Sequence, residues 1–84
     1  MPSAQSPVRR TVVLRRLEPN QRLERHYSLM VERDLFGTVR LVRSWGRIGT
    51  LGRELAEEYG TEIEARRALD ALARVKRRRG YRDL

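Results

Sequence analysis

Residues 61–80, TEIEARRALDALARVKRRRG, constrain the fold more than any other stretch. Ala65, Ala68, Leu69, Leu72 and Val75 recur at spacings of three and four, which draws one apolar stripe along a helix. The start is marked by Thr61 with Glu64 three residues later, the pairing of a capping box. Glu62 and Glu64 near that end, and Lys76 to Arg79 near the other, complement the helix dipole. Gly80 is a natural stop, because glycine accepts the left-handed conformation that ends many helices. At about 1.5 Å per residue this helix is roughly 28 Å long, enough to cross a small sheet. A lone stripe cannot bury itself, so the rest of the chain must supply the layer it packs on.

The preceding residues read as strands. TVVLRRL, Thr11 to Leu17, is β-branched and apolar, and Pro19 with Asn20 breaks it. In RHYSLMVER, Tyr27, Leu29 and Val31 alternate with His26, Ser28, Met30 and Glu32, the period of a half-buried strand. Gly37 sits at a turn, and TVRLVRSWGRI returns, so 25–48 reads as a hairpin. Val39, Leu41, Arg43, Trp45 and Arg47 fall on one side of the returning strand, with Arg40, Val42, Ser44 and Ile48 on the other. Gly49 and Gly52 bracket a further turn. RELAEEY, residues 53–59, reads as one more strand, although ELAEE suits a helix equally well. The expectation is an α+β fold in which a small antiparallel sheet of about four strands is crossed by one C-terminal helix. Residues 11–84 form the domain, and the aperiodic residues 1–10, with Pro2, Ser3, Ser6 and Pro7, form a flexible tail.

Chemistry enters through charge. The 84 residues carry a net charge of +8, and 18 of the 19 basic residues are arginine, Lys76 being the exception. Such a chain attracts polyanions, and the planar guanidinium matches phosphate oxygens and stacks on bases. Arginine-heavy usage also suits a GC-rich genome, and a basic surface also maintains solubility. With no cysteine there are no disulfides or thiolate metal sites. No apolar run reaches the roughly 18 residues of a membrane span, and the N-terminus has no apolar signal region, which points to the cytoplasm. His26 stands alone without a triad partner, and Glu54, Glu57 and Glu58 lack the spacing of a calcium loop. The glycines of GRIGTLG match neither the dinucleotide fingerprint nor the phosphate-binding loop. No catalytic residue, metal site or cofactor is expected.

Two stretches remain. Arg74, Lys76, Arg77, Arg78, Arg79 and Arg82 surround Tyr81; a solvated helix end favoured by the dipole accounts for one or two of them, while four consecutive cations at 76–79 repel one another and favour compensation by an anionic partner. In SWGR, Trp45 is either core or a stacking surface. Arg43 and Arg47, two residues to either side, share its face and could meet phosphates while the ring stacks on a base or sugar.

SWGRIGTLG resembles the signature of the WGR domain family, named for Trp-Gly-Arg. RHYSLMVERDLFG resembles the family's preceding strand and turn, and TEIEARRALDALARVKRRRGY its single helix with a basic-Gly-aromatic close. The likeness covers about residues 11 to 83, and DLFG and KRRRGY are similar to those of stand-alone bacterial members. It implies the same sheet-and-helix fold. In DNA-dependent poly(ADP-ribose) polymerases the module holds DNA near a break, close to a 5′ phosphate, and relays binding to a catalytic domain. By that resemblance Trp45 packs against a nucleic-acid end, Arg47 serves phosphate or inter-domain contacts, and Gly46 allows close approach. No catalytic domain accompanies these residues, so ADP-ribosyl transfer is not implied, and the relay role of Arg47 needs a separate protein. The resulting expectation is a module binding nucleic acid, DNA ahead of RNA, in the cytoplasm or on the nucleoid. Arg43, Trp45, Gly46, Arg47, Lys76, Arg77, Arg78, Arg79 and Tyr81 form its binding surface. The rival is a protein-interaction adaptor anchored on Trp45 and Arg47.

Overall fold

The computed structural model describes residues 7–18, 20 and 23–84. Its elements are β1 (Val8–Glu18), β2 (Leu23–Arg33), β3 (Val39–Arg47), β4 (Arg53–Tyr59), α1 (Glu62–Arg78) and β5 (Arg82–Asp83). They form one antiparallel sheet in the order β4-β3-β2-β1-β5, with α1 against one side. The α+β expectation holds, with one strand more than expected. The 53–59 segment is a strand, paired with β3 from Val39↔Tyr59 to Trp45↔Arg53.

The alternation in β2 and β3 sets the core. Tyr27, Leu29 and Val31 are buried, as are Val39 and Leu41 opposite, and Val12 and Leu14 on β1. Onto this layer α1 lays Ala65, Leu69 and Ala73, with Ala68 and Leu72 partly buried beside them. Two alanines at the contact let the helix backbone approach the sheet closely. The helix is rotated slightly from the expected stripe, so that Ala73 is inside and Val75 is 39% exposed. The other side of the sheet carries no layer among the described residues. Val13 is exposed there, and Met30 and Val42 are half-buried.

The ends of the elements follow local chemistry. Between β2 and β3 the Gly37 N–H donates to the Asp34 carbonyl, closing the turn, and Gly37 takes φ +84. Asp34 Oδ1 accepts the N–H groups of Phe36 and Thr38, and Oδ2 accepts from Arg40. Thr61 caps α1 by accepting the Glu64 N–H at 3.1 Å, and its hydroxyl donates to Glu64 Oε1. At the far end Tyr81 N–H donates to the Lys76 carbonyl and Gly80 N–H to that of Arg77, with Gly80 at φ +97. This is a Schellman close. It turns the chain back onto the sheet, where β5 pairs with Leu14 and Arg15 and the Leu84 N–H reaches the Val13 carbonyl.

β1 begins three residues before the expected Thr11. Val8 and Arg10 pair with β2, and the Arg33 N–H donates to the Pro7 carbonyl. Residues 8–10 of the expected tail therefore stand in the sheet, and residues 1–6 lie outside the described residues.

Acid should loosen this fold in a defined window. The hydrogen bond from the Thr38 N–H, followed by the Arg40 and Phe36 contacts, holds the Asp34 carboxyl below its usual 3.8. A hydrogen bond from Arg16 lowers Glu18 from 4.5, and one from Arg77 lowers Asp83 from 3.8. Each folded carboxyl titrates lower than its unfolded counterpart. The stability it contributes is thus complete above those ordinary values and drains as pH falls through the depressed ones. Urea midpoints should fall below about pH 4. The gap between the protein and Asp34→Asn, wide at pH 7, should narrow on acidification, and a gap independent of pH contradicts this account.

Candidate nucleic-acid interface

The register of the sheet brings together residues far apart in the chain. Trp45 lies opposite Tyr27, which lies opposite Leu14. The Trp45 and Tyr27 rings stack at 5.9 Å and 20°, and Tyr81 meets Tyr27 edge-on at 6.2 Å. Trp45 is half-buried, packed against the core on the side α1 covers. It is thus part core and part surface.

The next row on that side is a line of like charges. Arg16 pairs with Arg25, and Arg25 with Arg47, across β1, β2 and β3. Facing side chains in such a row have Cβ atoms roughly 5 Å apart, and like charges there repel. Glu18 relieves two of them, accepting hydrogen bonds from both Arg16 and Arg25. Arg47 is exposed and has no ion pair among the described residues.

The close of α1 adds two more cations. Arg16 donates to the Arg79 carbonyl at 3.0 Å. Lys76 Nζ lies 4.4 Å from the Tyr27 ring centre and 5.8 Å from that of Tyr81, and the Arg16 guanidinium is 5.5 Å from Tyr81. Burial, then the charges of Arg79, Arg43 and Arg16, press the Lys76 ammonium below its ordinary 10.5. Arg43 reaches Glu57 at 3.0 Å, while its Nε is buried without a hydrogen-bond partner. A polar atom left so is costly unless something supplies the bond.

The expected binding surface is therefore divided. Arg43, Trp45, Arg47, Lys76, Arg79 and Tyr81 gather at the end of α1 over the sheet. Arg77 is instead held by Asp83 through two bonds of 2.8 Å, which raise its pKa and fasten β5 to the helix. Arg78 is exposed on the outer side, about 200° round the helix from Lys76. At Gly46 the structure shows a close approach within the chain itself. Alternation directs its missing Cβ away from the side bearing Trp45 and Arg47, and that space is filled by Gly52, whose Cα would lie 2.7 Å from an added Cβ. The close approach at Gly46 is made by the chain's own β4 hairpin. Sequence alone does not single out Arg16 and Arg25, although a hairpin centred near Phe36 places Arg25 across from Arg47.

A shallow concavity on the uncovered side is lined by Arg15, Leu17, Glu24, Arg82 and Asp83. Its Arg15 and Glu24 pair at 2.9 Å, and Asp83 is taken by Arg77, so its acids are already compensated. No helix among the described residues is long and apolar enough to cross a membrane.

The family model for the WGR domain matches residues 10–84. The chain is 45% identical over 67 residues to the uncharacterized protein y4dW of Sinorhizobium fredii (strain NBRC 101917 / NGR234), a match covering 80% of this chain and 33% of that protein. The chain thus spans about a third of the relative's length. No solved structure gives a significant match.

Proposed function

Because the chain belongs to the WGR domain family, we propose that it is a non-enzymatic module that binds nucleic acid, DNA before RNA, at ends or nicks. The observation that carries this reading is the Arg16–Arg25–Arg47 row, flanked by Lys76 and Arg79 and answered, among the described residues, by Glu18. A phosphate backbone supplies the missing negative charge. Tyr27 steadies one face of the indole, so the remainder of Trp45 serves as a stacking surface for a terminal base or sugar. Phosphate contacts position a protein without reading sequence, so little sequence preference follows. Acting on DNA, the chain would work in the cytoplasm, at the nucleoid.

The test is a binding series in increasing salt with intact duplex, nicked duplex with and without a 5′ phosphate, and single-stranded RNA. With three to five phosphates neutralised, log K should fall against log salt with a slope of roughly −3 to −4.5 on duplex. The phosphorylated nick should bind tightest. Equal affinity for every polyanion reduces the reading to general charge attraction.

A second reading has its own support. Ile48, Leu51 and Leu55, around the β3–β4 turn beside Trp45, are 53%, 103% and 41% exposed. They suit a protein partner anchored on Trp45 and Arg47. No nucleic-acid binding at low salt would favour that adaptor.

A further inference from the structure

Lys76 is the single lysine in a chain with 18 arginines, and it stands in the middle of the cationic cluster rather than at its rim. Its neighbours Arg16, Arg43 and Arg79 are arginines, and a guanidinium as a class stays charged where an amine can be neutral. Lys76 is the one member of the group that can become neutral. Its Nζ rests over Tyr27 and near Tyr81, forms no ion pair among the described residues, and is partly withdrawn from water. Burial is the chief influence on its acidity, and the three arginines act in the same direction. Partial desolvation beside other cations favours the neutral, nucleophilic form of a lysine, against the pull of the Tyr27 and Tyr81 rings on the ammonium. Packing alone does not require a lysine, since arginine also lies over aromatic rings.

We propose that Lys76 is a Schiff-base amine that captures the aldehyde of an abasic deoxyribose in DNA. The proposal rests on the nucleic-acid reading above, which brings the sugar-phosphate backbone to this cluster. An abasic position lacks its base, so its opened sugar can turn out of the stack towards Lys76 while flanking phosphates meet the arginines. The neutral Nζ adds its lone pair to C1′ of the ring-opened sugar, forming a C–N bond. The carbonyl oxygen takes up a proton, giving a carbinolamine. That oxygen then leaves as water, so amine plus aldehyde becomes imine plus water without any oxidation or reduction.

The experiment incubates the whole chain with a labelled duplex containing one abasic site and adds sodium borohydride, whose hydride converts the imine to a stable amine. Binding to the same duplex is followed by fluorescence anisotropy. The expected result is a covalent protein–DNA species, its adduct mapping to Lys76 by mass spectrometry, and more of it formed as pH rises towards 10.5. With protein in excess, so that the duplex is saturated in both cases, Lys76→Arg should lose at least tenfold of the trapped product. The competing amine is the chain's α-amino group, ordinarily about 8 in pKa. An adduct mapping there, or Lys76→Arg trapping as well as the original, overturns the proposal. Binding without any adduct overturns it and leaves the nucleic-acid reading standing, whereas absence of binding overturns both.

Discussion

Gly52→Ala is expected to lower the stability of the domain by about 3 kcal/mol, while Gly49→Ala in the same turn costs about 1 kcal/mol. Both glycines adopt positive φ, +68 at Gly52 and +92 at Gly49, so either alanine pays the left-handed penalty of about 1–2 kcal/mol. Only Gly52 also meets a wall. An added Cβ would lie 2.5 Å from the Trp45 carbonyl oxygen, whereas at Gly49 nothing stands within 4 Å. The obstruction is backbone and cannot rotate aside, so the hairpin must open. A domain of 84 residues has roughly 4–12 kcal/mol in total, which makes the loss a large share. Urea midpoints with an unchanged slope measure it. Equal losses for the two variants would show that conformation, and not the close approach of Gly52 to Trp45 and Gly46, governs the turn.

That close approach shows where local pattern stops informing. The glycines at 46 and 52 are legible as a turn, but their mutual contact is not, because it arises only when two strands pair. The helix is the most legible element. Its cap, stripe and stop are all local, and they appear at Thr61, at Ala65 and Leu69, and at Gly80. Its rotation is less so, since the exchange of Val75 for Ala73 inside depends on the sheet it meets. β5 escapes sequence reasoning because two residues carry no period. It exists through Arg77 gripping Asp83 and through bonds to β1. Without β5, and so without Asp83 nearby, Arg77 reads as a free cation of the binding surface. Arg16 and Arg25 escape for the opposite reason. Each is unremarkable in its own strand, and only the register makes them neighbours of Arg47.

The register gives the largest functional expectation. The double variant Arg25→Gln with Arg47→Gln should weaken binding to phosphorylated nicked duplex about a hundredfold at low salt, at about tenfold for each charged hydrogen bond to phosphate removed. The slope of log K against log salt should flatten by about two. Stability should move the other way or not at all. Three arginines in one cross-strand row repel, Arg47 has no ion pair among the described residues, and Glu18 retains Arg16 when Arg25 is gone. Weaker binding in a protein that melts no earlier is the signature of charges kept for a partner at the fold's expense. A merely structural role for the row predicts the reverse, a lower melting temperature with affinity intact. Arg78→Gln removes an equal charge from the outer side of α1 and separates position from net charge. Its effect should stay under about threefold, with a slope changed by well under one. If it weakens binding as much as Arg47→Gln alone, the molecule attracts DNA through its overall field, and the row beside Trp45 holds no privileged place.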